Sequence, residues 1–190
     1  GGIGSGKSTF SNEVLKKNLT LLDSDKQVSK IYKKTRKSFL VYLKQIGLEK
    51  AINNKRINKT KIRDIIFNDH KIRKKLENYI FNLVRKERQS FIKKHKKIKT
   101  KTNFFDIPLL FENDLADNFD IIISIISSKK ERLKRLKSSK KIPVGVFNKI
   151  IKSQTSDVVR KKNSDIVINN NSSMKNFTKK INKTLKVILS

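Results

Sequence analysis

The chain has no cysteine and no tryptophan among its 190 residues. Without thiols there is no disulfide framework and no thiolate metal centre, a usage that fits a reducing cytoplasmic setting. Proline occurs only at 108 and 143, too sparsely for a Pro-rich linker to divide the chain, and no internal repeat is evident. No apolar run reaches the about 18–20 residues of a bilayer-spanning helix, so no membrane segment is expected. Acidic residues are scarce: 16 Asp and Glu stand against 47 Lys and Arg, for a formal charge of +31. That excess has two readings, a surface for nucleic acid or a solvated surface shaped by an AT-rich coding sequence. The cations are spread over nearly the whole chain, and Ile and Asn are abundant. This favours the second reading, so no specific nucleic-acid partner is expected, although the field suits an anionic nucleotide. Apolar residues make up 36% of the chain, lean but sufficient for a single core.

Glycine is also sparse, yet Gly1, Gly2, Gly4 and Gly6 open the chain. Gly1-Gly2-Ile3-Gly4-Ser5-Gly6-Lys7-Ser8-Thr9 fits the phosphate-binding pattern G-x-x-x-x-G-K-[ST]. Such a loop needs successive backbone N–H groups curled around an anionic oxygen, which glycine permits because it has no Cβ. Lys7 supplies a cation for the β- and γ-phosphates and Ser8 a hydroxyl for Mg²⁺. The helix that follows points its positive end at the same phosphates. Phe10, Val14 and Leu15 recur at helical spacing behind it. A P-loop ordinarily follows a buried strand, and nothing precedes Gly1, not even an initiator Met. The expectation is a chain lacking a first strand of about 5–6 residues.

Further along, Leu19-Thr20-Leu21-Leu22 reads as a buried strand ending at Asp23-Ser24-Asp25, with its carboxylates at the tip that faces the ligand crevice in open α/β sheets. From Lys26 to Lys97 the pattern is helical, with Ile72, Leu76, Ile80, Leu83 and Phe91 forming one long stripe. Asn103 to Pro108, Asp120 to Ile126 and Ile166 to Asn169 read as strands. Lys129–Lys137 is a basic helix, 138–143 a loop leading into more helix through Lys152, and Phe177, Ile181, Leu185 and Ile188 a terminal helical stripe. Alternating strands and helices after a P-loop predict an α/β, three-layer P-loop kinase fold. It has a parallel sheet of about five strands with right-handed crossovers. One domain is expected over 1–190, with 26–98 as a helical acceptor-binding insert and 136–150 as a lid.

GGIGSGKST at 1–9, LDSD at 22–25, IRDIIF at 62–67, DIPLLFE at 106–112, SQ at 153–154 and SDIVINN at 164–170 together resemble the dephospho-coenzyme A kinase family over essentially the whole chain. The resemblance implies transfer of the γ-phosphate of ATP, with Mg²⁺, to the ribose 3′-hydroxyl of dephospho-coenzyme A. It also implies roles for named residues. Gly2, Ile3, Gly4, Ser5, Gly6, Lys7, Ser8 and Thr9 bind ATP, Gln154 matches the family's Gln before the last strand, and Asn170 or Asn171 after that strand flanks adenine. Asp25 accepts or orients the 3′-hydroxyl proton, against an alternative reading as the N-cap of the next helix. Asp23 supports the site or the metal's water shell. Pro108, Leu109, Leu110 and Glu112 shape the acceptor pocket, and Arg63 meets an acceptor phosphate or is a solvated helix-face cation. Asp106 joins Ser8 at the metal, or is an ordinary edge-of-core Asp paired with a surface Lys. Arg135 neutralises charge as phosphate leaves ATP, unless it is one more solvated cation.

The chain departs from the family pattern at three places. Phe81-Asn82 stand where His-Pro is usual, Ser139 replaces a second lid Arg, and Ser172 replaces a Gly. Lys140 or Lys141 could stand in for that Arg as a point charge, without the bidentate fork. The rival readings are another P-loop nucleotide kinase and a basic nucleic-acid-binding protein.

Overall fold

A computed structural model describes residues 1–96, 102–138 and 143–190. The chain forms two compact units, Gly1–Leu21 with Lys101–Ser190, and Leu22–Thr100. In chain order the first half contains α1 (Lys7–Lys16), β1 (Thr20–Asp23), α2 (Ser24–Lys33), α3 (Lys37–Gln45), β2 (Ile52–Asn53), β3 (Arg56–Ile57), α4 (Lys59–Asn68) and α5 (His70–Lys96). The second half contains β4 (Asn103–Asp106), β5 (Ile123–Ile126), α6 (Lys129–Ser138), α7 (Val144–Ser153), α8 (Asp157–Lys162), β6 (Ile166–Asn169) and α9 (Met174–Leu189).

β1, which begins in the first unit, pairs with β4, and within that unit β5 pairs in parallel with β6, Ile123 opposite Ile166 through Ile126 opposite Asn169. The core joins Phe10 and Val14 of α1, Phe104 of β4, Ile125 of β5, Ile168 of β6 and the α9 stripe. Ser173 caps α9 through its hydroxyl, and Phe177, Ile181 and Leu185, four residues apart, are fully buried. Each such side chain contributes about 1.5–3 kcal/mol. This packing fixes α1 beside α9, and with it the position of the glycine loop at the head of α1.

The strands are shorter than the apolar runs suggest. Ile122 donates its N–H to Asp165 Oδ2 at 2.7 Å, so the β5 ladder starts at Ile123. Pro108, two residues past β4, has no N–H with which to extend a ladder.

The second unit is built on Phe39, Leu43, Ile46, Leu48, Ala51, Ile62 and Leu76. Phe39 and Tyr42 both stack on Tyr79 of α5. The unit also holds an antiparallel hairpin that the helical reading of 26–97 missed: β2 and β3 pair through Ile52 with Ile57 and Asn53 with Arg56. Asn54 and Lys55 turn the hairpin at φ 45° and 63°. Two residues per strand are too few to show alternation. Among the described residues no helix is long and apolar enough to cross a membrane.

Candidate active site

The glycine loop makes two left-handed turns. Gly4 has φ 71° and Gly6, the N-cap of α1, has φ 108°. A Cβ on Gly6 would stand 2.5 Å from Asn170 Nδ2 and 2.9 Å from the Phe177 ring, so conformation and space both demand glycine. Ser5 donates its N–H to Gly2 O at 3.1 Å, and Thr9 and Phe10 donate theirs to Gly6 O at 3.0 and 3.2 Å. The first N–H groups of a helix have no intrahelical acceptor, so those of Lys7 and Ser8 open the helix mouth to an anion.

Three residues singled out in the sequence converge on this loop from far along the chain. Asn170 is buried at the end of β6, and its Nδ2 donates to Ser5 O at 2.8 Å. Gln154, the C-cap of α7, accepts the Ile3 N–H at 3.0 Å. Arg135 of α6 donates from Nη1 to Gly4 O at 3.2 Å and Ser127 Oγ at 3.1 Å, and from Nη2 to Asn170 O at 2.7 Å. Side-chain amides at 154 and 170 thus clamp loop backbone in this structure.

Asp106 closes β4 with its carboxylate buried, a costly placement without partners. Oδ1 is ion-paired with Lys7 Nζ, and Oδ2 accepts the Ser11 hydroxyl at 2.6 Å. Ser11 was not a candidate, yet it lies one turn beyond Lys7 on α1 and faces the same carboxylate. Ser8 is exposed at the helix mouth.

The loop after β4 carries the acceptor-pocket candidates Pro108, Leu109, Leu110 and Glu112. Leu109 sits at φ 54°, a strained conformation for a bulky residue, with its carbonyl accepting the Asn113 side-chain amide at 2.8 Å. Glu112 Oε1 accepts the Thr155 N–H at 2.6 Å and faces Arg160 Nη2 at 3.4 Å. Burial pushes the Glu112 carboxyl up, but hydrogen bonds from Thr155 and its own N–H, with the Arg160 charge, outweigh burial and hold it below the usual carboxylate range.

Arg160 belongs to a cluster that the sequence did not flag. Arg132 Nη2 donates to Asp157 Oδ2 at 3.0 Å, and Arg160 Nη1 to Asp157 Oδ1 at 2.9 Å. Both guanidiniums crowd Gly2. A spacing signal existed only for Asp157 and Arg160, three apart on α8. Arg135 differs from its neighbours, because among the described residues all its hydrogen-bond partners are neutral oxygens. Beyond the carboxyl ends of β5 and β6 lies a cavity of about 220 Å³, lined by Ser127, Ser128, Lys129, Arg132, Lys161 and Asn171 among others.

Asp23, Asp25 and Arg63 belong to the second unit. The N-cap of α2 is Asp23, which accepts the Lys26 N–H at 3.0 Å, and not Asp25. Asp25 lies in the first turn, exposed, where a carboxylate complements the helix dipole. Arg63 is exposed on α4. Phe81 and Asn82 are exposed on α5. Ser139, Lys140 and Lys141, in the middle of the expected lid, lie outside the described residues.

Comparison with known proteins places this geometry. The family model described as dephospho-CoA kinase matches residues 1–176. A dephospho-CoA kinase of Fusobacterium nucleatum subsp. nucleatum is 34% identical over 189 residues, covering 99% of this chain and 95% of that protein. One from Listeria innocua serovar 6a is 30% identical, covering 95% and 90%. The solved structure of dephospho-CoA kinase from Campylobacter jejuni superposes with a TM-score of 0.74 at 25% identity, covering 97% and 92%. The crystal structure of TT1252 from Thermus thermophilus shares the fold, with a TM-score of 0.83 at 20% identity, covering 100% and 95%.

Proposed function

The chain belongs to the dephospho-CoA kinase family, and from that premise we propose how its residues carry ATP-dependent phosphorylation of the ribose 3′-hydroxyl of dephospho-CoA, the last step of coenzyme A synthesis. The observation that carries the reading is the division of charge around the P-loop. Lys7 has Asp106, and Arg132 and Arg160 share Asp157, but Arg135 reaches the loop backbone with no carboxylate among its described partners. An uncompensated guanidinium beside a phosphate cradle is suited to an incoming polyphosphate.

ATP enters with its phosphates on the N–H groups at the mouth of α1. Lys7 turns from Asp106 toward the β/γ-bridge, and Arg135 meets the charge that develops on the leaving phosphate. The cavity beyond β5 and β6 receives the adenosine end, as crevices at strand carboxyl ends do. Hard oxygen donors suit Mg²⁺, which is held by one or two protein oxygens plus substrate phosphates and needs no all-protein cage. Ser8 and Asp106 provide that set, and the ion when bound neutralises phosphate charge. The Leu22–Thr100 unit, which contains 26–98, presents the acceptor, and 136–150 acts as the lid. Asp25 takes the proton of the 3′-hydroxyl as its oxygen attacks the γ-phosphorus and the bond to ADP breaks. Asp23, already capping α2, fixes the helix start that carries Asp25. Leu109 and its neighbours hold the acceptor, with Arg63 at one of its phosphates. The reaction consumes ATP, consistent with a cytoplasmic enzyme.

The test is ADP formation with ATP, Mg²⁺ and dephospho-CoA, with the 3′-phosphorylated product identified by mass. Transfer should be lost in Lys7→Ala, and Asp25→Asn should lower turnover about 100-fold or more while ATP affinity holds. No transfer above the Lys7→Ala background would refute the activity, and full turnover in Asp25→Asn would dismiss that carboxylate as the base.

A further inference from the structure

We propose that Asp157, the first residue of α8, is a positioning residue for nucleotide binding: acting through Arg132 and Arg160, it holds the front of the P-loop at Gly2. The proposal rests on the kinase reading above, because that reading supplies the loop with its ligand.

Gly2 is packed by cations. A Cβ there would lie 2.5 Å from Arg132 Nη1 and 3.3 Å from Arg160 Nη1, with Gln154 Oε1 at 3.2 Å. Both arginines are buried, 8% and 4% exposed. Two buried guanidiniums facing the same side of Gly2 repel each other, and each carries a desolvation cost that an anion offsets. Asp157 serves both, giving Oδ2 to Arg132 at 3.0 Å and Oδ1 to Arg160 at 2.9 Å.

The two arginines do not depend on it equally. Arg160 has a second carboxylate in Glu112, at 3.4 Å. For Arg132, Asp157 is the carboxylate partner among the described residues, and its Nε is buried with no acceptor there. Neutralising residue 157 therefore leaves Arg132 as an uncompensated buried cation against the loop.

Displacement at Gly2 propagates in two directions. Along the loop, Gly2 O receives the Ser5 N–H and the adjoining Ile3 N–H is held by Gln154, so the peptide planes that aim at phosphate are referenced to this point. Along α6, Arg132 lies three residues before Arg135, which reaches Gly4 O. A shift of that helix face moves the cation assigned to phosphate. Arg132 and Asp157 also line the cavity at the ends of β5 and β6. One carboxylate thus sets the front of the loop, the reach of Arg135 and one wall of that cavity.

The test measures equilibrium binding of a fluorescent ATP analogue to the full chain, with phosphoryl transfer to dephospho-CoA followed alongside. Asp157→Asn should weaken nucleotide Kd about tenfold, Asp157→Glu should stay within about threefold of wild type, and KM for dephospho-CoA should move less than about twofold. A purely structural role would lower the folded fraction and the signal amplitude while leaving Kd at its wild-type value, and that result overturns the proposal. Should Asp157→Asn not fold, the double variant Arg132→Gln with Asp157→Asn, which lacks the unpaired cation, takes its place. A Kd about fivefold weaker then supports the proposal, and a wild-type Kd overturns it. Nucleotide binding without transfer in the wild type would refute the assignment of the acceptor, while the Kd comparison would still decide the role of Asp157.

Discussion

Asp106→Asn separates charge from shape at the centre of the site. The side chains have nearly the same volume, so no cavity forms, and Ser11 can adapt because its hydroxyl also lies 3.2 Å from Lys7 O. The amide can give its nitrogen to Ser11 and keep its oxygen toward Lys7. Hydrogen bonds survive and the ion pair does not. A charge-assisted bond exceeds a neutral one by about 1–2 kcal/mol. Lys7 is 29% exposed, so solvent screens part of that difference, and a loss near about 1 kcal/mol of stability is expected. For a chain of this length the corresponding fall in Tm is about 2–4 °C. Activity should fall much further, about 10–100-fold in kcat/KM for ATP with a raised requirement for Mg²⁺, as when a supporting carboxylate of a metal site is removed. The assays are a thermal melt without ligand and steady-state kinetics at varied Mg²⁺. Were Tm to fall by tens of degrees and activity only by the unfolded fraction, Asp106 would be a structural ion-pair partner and its metal role would be wrong. An unchanged Mg²⁺ dependence would equally refute the reasoning.

Gly6→Ala should lose about 1–2 kcal/mol from the left-handed backbone alone. The overlap with Asn170 and Phe177 adds to this, and nucleotide titration should show binding reduced about tenfold or more; wild-type binding would mean that the loop relaxes. Glu112 has its carboxyl held below the usual range, so its contribution to stability is fully present above the ordinary carboxylate value of the unfolded chain and is lost as pH falls through the lower folded value. Urea melts of wild type and Glu112→Gln should differ by a constant amount above about pH 5 and converge in more acidic solution, whereas a gap that widens on acidification would reverse the assigned sign.

What could be read from the linear chain was what is local. The P-loop is one contiguous pattern, α9 announces itself through Phe177, Ile181 and Leu185, and β6 occupies the expected Ile166–Asn169. The hairpin of β2 and β3 was illegible because its strands are two residues long. Choosing between Asp23 and Asp25 as a cap depended on whether the helix starts at Ser24 or Lys26, a boundary that the sequence does not define. Least legible was the cluster at Gly2. Arg132 meets Asp157 across 25 positions and Arg160 meets Glu112 across 48, and neither pairing leaves a periodicity. In a chain with 47 basic residues nothing in the sequence distinguishes these arginines from solvated ones.

That abundance of cations bears on how the enzyme can recognise an anion at all. Exposed charges are screened beyond about 8 Å at physiological salt, so most of the +31 acts on encounter and not on the bound geometry. Selectivity must then come from the few cations that the fold desolvates and aims, and among these the acidic residues decide which remain available. Asp157 and Glu112 neutralise Arg160, Asp157 neutralises Arg132, and Asp106 holds Lys7 against the mouth of α1. Asp106, Glu112 and Asp157 thus stand beside the cations around the P-loop and leave Arg135 as the guanidinium whose described partners are all neutral.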